Sequence, residues 1–409
     1  MQTDIFVSIF GESLGSALQI IFYAMPLWLP FLAGFVFWKL WVQYVRGEFI
    51  SKQKYTLLEI KLPKELFKSP QAMETVLAGL YLTMGESTWF DKYWLGKIRT
   101  WFSLELVSID GNVHFFIWTR DYFKNTVESQ IYAQYPTVEI YEVPDYTQNI
   151  YFDPNVYSVF GTFFKLTKPD PYPIKTYVDY GMDKDPKEEF KIDPIVSVTE
   201  FLGSLNKGEQ AWIQILIRAH KKEKRDGLFS EPTDWKTDAK AEIKKIMTEG
   251  SYVKSEGDDP FAAMKLTRGQ QDVINAMERS INKQAFDTGI RAIYIAEKDK
   301  YNATRIPGIL GVMRQYNSST LNSFGLSGTT GFDFPWEDYK DIRLNKVKKD
   351  LVDGYKLRSY FHPPFKKKPF VLNTEELATI FHFPGGVATT PTVSRITSKK
   401  AEPPSNLPI

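Results

Sequence analysis

Residues 101–119 read WFSLELVSIDGNVHFFIWT. Two runs rich in aromatic and β-branched residues flank Asp110-Gly111, a dipeptide that tolerates the left-handed backbone of a tight hairpin. The stretch reads as two antiparallel strands, 101–109 and 112–119. Upstream, Leu58, Ile60 and Leu62 alternate with Glu59 and Lys61, the period of a half-buried strand. Ser69-Pro70 then supplies an N-cap and a first-turn proline. Met73, Val76, Leu77, Leu80, Tyr81 and Met84 follow at spacings of three and four, one face of a helix. Downstream, Phe123, Val127, Ile131 and Tyr135 mark a second helix stopped by Pro136, and 138–143 reads as a strand. The order β-α-β-β-α-β is the split βαβ, or ferredoxin-like, arrangement, and it implies no iron–sulfur cluster.

A second copy is expected to follow. Residues 159–166 alternate as a strand, 167–193 is a Pro- and Asp-rich linker, 194–205 reads as a short helix, and 211–219 (AWIQILIRA) as a strand. Helical patterns at 234–247 and 267–282 precede a strand at 290–296; 305–317 reads as a helix and 356–361 as the closing strand. From Pro363 onward the prolines, Lys366-Lys367-Lys368 and Gly385-Gly386 suggest an extended arm. Within it Asn373-Thr374-Glu375-Glu376 fits a capping box that starts one short helix ending near Phe381.

The most hydrophobic stretch is 13–38, SLGSALQIIFYAMPLWLPFLAGFVFW, closed by Lys39. Spanning a bilayer takes about 20 apolar residues, and this run is long enough. A signal peptide has a shorter apolar core after a basic start, whereas Asp4 and Glu12 precede this one. Pro26 and Pro30 are tolerated in membrane helices. Lys39, Arg46, Lys52 and Lys54 follow the run, so the positive-inside rule places the body in the cytoplasm. The expectation is a single-pass inner-membrane protein with its N-terminus outside.

The fold class expected is α+β: a transmembrane anchor (1–50), tandem ferredoxin-like modules (51–150, and 151–362 with a helical insertion), and an extended C-terminal arm (363–409). Charged residues make up 24% and hydrophobic ones 43% of the 409-residue chain, a globular composition. The formal net charge of +2 is not that of a polyelectrolyte binder. The absence of cysteine excludes disulfides, thiolate metal sites and cysteine nucleophiles.

No P-loop is present: Gly96-Lys97 is followed by Ile98, and the loop 325–331 (GLSGTTG) lacks the lysine that holds phosphate. His114, His220, His362 and His382 are isolated, with no metal-ligand spacing, so neither a metal nor a cofactor is expected. No nucleophile–base–orienter set stands out, and the chain reads as non-enzymatic. The runs 221–225 (KKEKR) and Lys366, Lys367, Lys368 are candidate phosphate or nucleic-acid contacts, against the simpler reading of a solvated face or a contact with anionic lipid. Residues 343–409 hold twelve Lys/Arg against five Asp/Glu. Trp336, in GFDFPWEDY, reads equally as a partner contact or a loop residue.

Seven segments in order resemble a family of membrane-anchored proteins from candidate-phyla bacteria, in which a domain of unknown function precedes a type IV secretion DNA-binding ATPase. They are LLEIKLP (57–63), SPQAME (69–74), VESQIYAQYP (127–136), KGEQAWIQ (207–214), GIRAIYIA (289–296), FVLNTEELATIFHFP (370–384) and TSKKAEPPSNLP (397–408). In that family the last segments lead into the ATPase, whose Walker motifs match nothing in this chain. The resemblance implies a non-catalytic adaptor that positions a coupling-type P-loop ATPase at the membrane, with a ring-shaped homo-oligomer expected. Asn373, Glu376, Leu377, Ile380, Phe381 and Phe383 are then the candidate docking residues. The alternative is a self-standing membrane-anchored envelope scaffold with no ATPase or DNA partner.

Overall fold

The computed structural model describes residues 19, 22–63, 66, 68–183, 192–221, 223–224, 232–251, 266–332, 334, 336, 338–385 and 395–396. They form two compact units, Met1–Gln53 with Gly85–Ile98, and Lys54–Met84 with Arg99–Ile409.

The first unit is built on helix α1 (Met25–Ser51), with Pro26 in its first turn and Pro30 inside it. It is long and apolar enough to cross a membrane, and the same properties fit a signal sequence. Most of its apolar side chains are exposed, and Val45 is the buried one among them. Residues 85–98 form an excursion with a five-residue helix, Trp89–Tyr93, capped by Thr88 accepting from the Asp91 amide at 3.1 Å.

The second unit opens with β1 (Tyr55–Pro63), α2 (Pro70–Gly79), β2 (Trp101–Ile109), β3 (Asn112–Arg120), α3 (Lys124–Gln134) and β4 (Glu139–Val143). There follow β5 (Tyr157–Leu166), α4 (Pro194–Gly203), β6 (Glu209–Ala219), β7 (Glu223–Lys224), β8 (Pro232–Thr233), α5 (Trp235–Ser251), α6 (Arg268–Ile281), β9 (Ala285–Glu297), α7 (Ile306–Gly311) and β10 (Phe324–Thr329). The described chain ends with α8 (Ile342–Lys356), β11 (Phe370–Asn373), α9 (Thr374–Ile380) and β12 (Arg395–Ile396). Side-chain caps set several helix starts: Ser69 accepts from the Gln71 amide and Asp193 from the Ile195 amide, while Thr267 and Gln270 form a reciprocal capping box.

Across the main sheet the strands run β4-β1-β3-β2-β6-β9-β5-β10, each antiparallel to its neighbours. β11 extends β9, and β12 adds in parallel to the end of β1. The first half is ordered β4-β1-β3-β2, and the second repeats that order as β10-β5-β9-β6 with β7, β8, α5 and α6 inserted before its third strand. β2 pairs with β6 over nine residue positions, from Trp101–Arg218 to Ile109–Gln210. The sequence boundary at residue 150 therefore separates two halves of one sheet rather than two bodies.

One face of the sheet carries Leu58, Ile60, Phe102, Leu104, Ile213, Ile215 and Ile290, which share a core with Val76 and Leu77 of α2, Val127 and Ile131 of α3, Val198 and Leu202 of α4, and Leu377 of α9. The other face is largely covered by residues 146–149 and by α8 with the segment after it; Trp101 Nε1 donates to the Arg358 carbonyl at 3.1 Å, and the Trp212 and Tyr355 rings lie 5.1 Å apart.

Three expectations are corrected. The closing strand of the second half is β10, not residues 356–361. Segment 324–329 has only Phe324 and Leu326 as apolar residues, so its glycines read as a loop, whereas 342–356 buries Leu351, Val352 and Tyr355 on one helical face. The helix expected at 305–317 is broken into two 3-10 turns around α7, where Pro307, Gly308 and Gly311 interrupt the pattern. Residues 363–385 are not an arm: β11 joins the sheet and α9 lies in the core against α2. The remainder of the expected arm lies outside the described residues except Arg395–Ile396.

Because Leu377 and Phe381 are both fully buried, truncating either empties core volume. Leu377→Ala is expected to cost roughly 2–5 kcal/mol and Phe381→Ala roughly 3–5 kcal/mol of unfolding free energy. Equilibrium denaturation in urea measures both. A change below about 1 kcal/mol at each position would place α9 outside the core.

Candidate functional site

On the α8 side of the sheet, antiparallel register puts Glu105 of β2 opposite Gln214 of β6, and Gln214 opposite Arg291 of β9. The three polar side chains form a row across the centre of the sheet, and all are buried. A buried carboxylate survives only if paired and hydrogen-bonded, and Glu105 is both. It accepts from Ser103 Oγ (2.7 Å), Gln214 Nε2 (2.8 Å), Tyr146 OH (2.8 Å) and the Arg358 guanidinium (3.0 and 3.2 Å). Tyr146 and Tyr355 hydroxyls meet at 2.8 Å.

Arg358 takes φ +47° and also binds both carboxylate oxygens of Asp145. Burial opposes its charge, but Glu105 and Asp145 outweigh that and hold the guanidinium above its ordinary value. Arg291 donates to Gln214 Oε1 (2.7 Å from Nε), to the Gly354 carbonyl (2.8 Å) and to the Ser359 carbonyl (3.2 Å). Burial pulls it down to about 10, which still leaves it charged at neutral pH. Each guanidinium is committed to internal acceptors, so the row is a polar seam and not an open reaction centre.

Beside Arg291 lies a cleft of about 330 Å³, lined among others by Phe163, Ser327, Gly328, Thr329, Thr330, Asp350, Lys366 and Lys367. It brings together two features that are remote in sequence: the glycine-rich 325–331 segment and the lysine run. Thr330 Oγ1 accepts from the Gly161 amide at 2.8 Å, Thr162 Oγ1 donates to the Gly328 carbonyl at 3.0 Å, and a register shift between Leu326 and Thr329 bends the strand edge there. Gly328 has φ +99°, a conformation that favours glycine. Lys366, Lys367 and Lys368 are exposed, and Lys367 Nζ stands 4.8 Å from the centre of the Phe163 ring. Two exposed cations beside the hydroxyls of Ser327, Thr329 and Thr330 suit an anionic group, with Asp350 limiting how much negative charge the cleft accepts.

A second buried cluster centres on Asp287, which accepts from Arg218 (2.6 and 3.1 Å), lies 2.6 Å from His220 Nδ1 and is 3.6 Å from Arg99. Burial works to raise the Asp287 carboxyl, but His220 and the two arginines hold it below its ordinary value. The other histidines are likewise tied into structure. His114 bonds Glu59 at 2.8 Å, His382 bonds the Ala378 carbonyl and Asp193, both at 2.9 Å, and the His362 ring lies 6.1 Å from Trp101. Among the described residues no group of three or more His, Asp or Glu side chains converges to hold a metal. Most of the run 221–225 lies where side chains are outside the described residues. Trp336 is exposed and stacks on Phe334.

The expected docking residues are placed elsewhere than on a surface. Asn373, Glu376, Leu377, Ile380, Phe381 and Phe383 are all buried. The capping box forms as read, with Asn373 Oδ1 accepting from the Glu376 amide and Glu376 Oε2 from the Asn373 amide, each at 2.9 Å. Glu376 Oε1 accepts in addition from the Ile174 amide at 2.8 Å. These bonds point inward, because the helix seals the core instead of offering a face to a partner.

A family model described as a domain of unknown function, DUF8128, matches residues 48–395. The chain belongs to the DUF8128 family. No curated protein matches the chain. The DUF8128 match starts within α1 and ends in β12, so it takes in the whole sheet, the polar seam and the cleft. The seam of this DUF8128 domain was missed at the sequence level, although an arginine within GIRAIYIA and a glutamate within WFSLELVSI are the residues an apolar strand would exclude.

Burial raises the Glu376 carboxyl to about 8, the backbone amides of Asn373 and Ile174 working against the rise. The unfolded chain releases this proton near an ordinary pKa of about 4.3, so between about 4.3 and 8 the folded state binds the extra proton. The group costs nothing below that window, and its cost then grows by about 1.4 kcal/mol per pH unit until pH 8. Glu376→Gln is expected to remove this part of the decline. Unfolding free energies of the two proteins from pH 4 to pH 8 measure it, and parallel curves would mean that Glu376 is ionised in the fold.

Proposed function

We propose that this protein is a non-catalytic membrane tether and adaptor, which holds a coupling-type P-loop ATPase of a type IV secretion-like DNA translocation machine at the inner membrane. The observation that carries the tether is α1, an apolar helix whose side chains are mostly exposed, joined to a folded body. The cations Lys39, Arg46, Lys52 and Lys54 favour a single pass with the body in the cytoplasm. The paired state of the buried charges in the seam supports a structural role for them. The repeated strand order supports reading the two halves as tandem ferredoxin-like modules fused through β2 and β6, a broad rigid platform. The ordered family segments support the ATPase as partner. With α9 in the core, the stretch after Gly385 becomes the proposed contact.

Affinity capture of the tagged, detergent-solubilised full chain from its own cells, with mass spectrometry, tests this reading. The expected result is a P-loop ATPase retained by the full chain and lost from a chain ending at Gly385, which keeps α9. Recovery of lipid and envelope proteins without an ATPase would overturn the adaptor in favour of a self-standing scaffold.

The cleft supports a second role in the same machine, contact with the phosphate backbone of the transported strand. The observation favouring it is the meeting of Lys366 and Lys367 with the hydroxyl residues Ser327, Thr329 and Thr330. Each phosphate contact on single-stranded DNA contributes a salt slope of about 0.7. Lys366→Glu with Lys367→Glu is expected to lower the slope of log K against log salt by about 1.4 and to weaken binding of an oligonucleotide irrespective of its sequence. Unchanged slope and affinity would remove nucleic acid from the cleft.

A further inference from the structure

Three contacts pin the 85–98 excursion to one stripe of α1. Trp38 stacks on Trp89 with ring centres 6.2 Å apart, Trp41 Nε1 donates to the Tyr93 carbonyl at 3.0 Å, and Gly96 lies against Val45. Positions 38, 41 and 45 share a helix face. The last contact admits only glycine: φ is +61°, and a Cβ at this position would stand 2.2 Å from the Val45 carbonyl oxygen. Lys97 closes the turn on Asp91 at 2.8 Å. The excursion is thus a built element of the helix's own unit.

Its outward side is apolar. Trp89 is 63% exposed, Phe90 50% and Trp94 52%, with Leu95 beside them. Phe90 and Trp94 stack at 6.3 Å, and Trp94 continues onto Trp41 at 5.3 Å, so the rings form one aromatic band with Trp38 and Tyr44 of the helix. Large exposed apolar side chains in one patch mark an interaction surface. The place of this patch names its occupant. About 20 helical residues cross the hydrocarbon, and the uncharged run ends at Trp38, where Lys39 follows. The band therefore sits at the level where hydrocarbon gives way to headgroups, the depth that tryptophan and tyrosine prefer because an apolar ring body and a polar N–H or O–H are both satisfied there.

We propose that residues 85–98 are a membrane-interface anchor: Trp89, Phe90 and Trp94 insert into the headgroup layer next to α1 and, with Trp38 and Trp41, fix its depth and rotation. The inference rests on α1 crossing the membrane, and its test separates the two. The chain has no cysteine, so single cysteines at Leu32, Phe90 or Trp94 carry a nitroxide label without background. Each labelled full chain is reconstituted into phosphatidylcholine–phosphatidylglycerol vesicles, and power saturation with oxygen and a water-soluble nickel chelate reads the depth. The Leu32→Cys label is expected in hydrocarbon, and the Phe90→Cys and Trp94→Cys labels at headgroup depth. Labels at 90 and 94 that match free label in buffer, with position 32 in hydrocarbon, would overturn the interface anchor and leave the span standing. An aqueous value at position 32 as well would overturn the span itself.

Discussion

The pairing of β2 with β6 is the constraint on which the body depends. Each half, by itself, would present a long, flat, apolar strand as an open edge, the feature that invites aggregation. Joining them buries both edges and makes one continuous sheet with a helical layer on one side. The same register decides chemistry. With Leu104 opposite Ile215 on the helical side, Glu105 must stand opposite Gln214 on the other. A slip of β2 by one residue would turn its side chains to the wrong face, putting the glutamate into the apolar core of Ile60, Leu77 and Ile215.

The polar seam follows from that register. An ion pair this deep contributes little net stability, because desolvation cancels most of the attraction, but removing one partner alone leaves a stranded charge at a cost of roughly 3–5 kcal/mol. Glu105 and Arg358 therefore matter less for the net strength of their bond than for the cost of separating them. Arg358 reaches Glu105, Asp145 and the Lys356 carbonyl at once, which ties the segment after α8 to β2 and to residue 145. The position of α8 in turn shapes one wall of the cleft through Val347, Asp350 and Leu351.

Local signals were legible in the sequence, and assembly was not. The Asp110-Gly111 hairpin, the caps at Ser69 and Asn373, and the helical insertion all form where their residues place them. β10 escaped notice because an edge strand with Gly325 and Gly328 carries too little apolar pattern to stand out from a loop. The docking residues show a different limit. Periodicity announces that Leu377, Ile380 and Phe381 share an apolar face, but says nothing about whether another chain or the same chain covers it. The cleft and the aromatic band share one cause for being unreadable: Thr330 with Lys366, and Trp38 with Trp89, meet only through folding.

Synthesis order gives the Glu105–Arg358 bond a consequence in time. The two residues are 253 positions apart, which at 5–20 residues per second means roughly 13–50 seconds between their appearance on the ribosome. For less than half of that interval β2 waits for β6, since Gln214 follows Glu105 by 109 positions, and for all of it the glutamate waits for its guanidinium, while the apolar helix ahead of them has already emerged. Long-range pairing of this kind folds slowly. The nascent first half is therefore the species most exposed to mispairing with a second nascent copy, and a chain stalled before Arg358 would have its sheet joined but its central carboxylate unmatched.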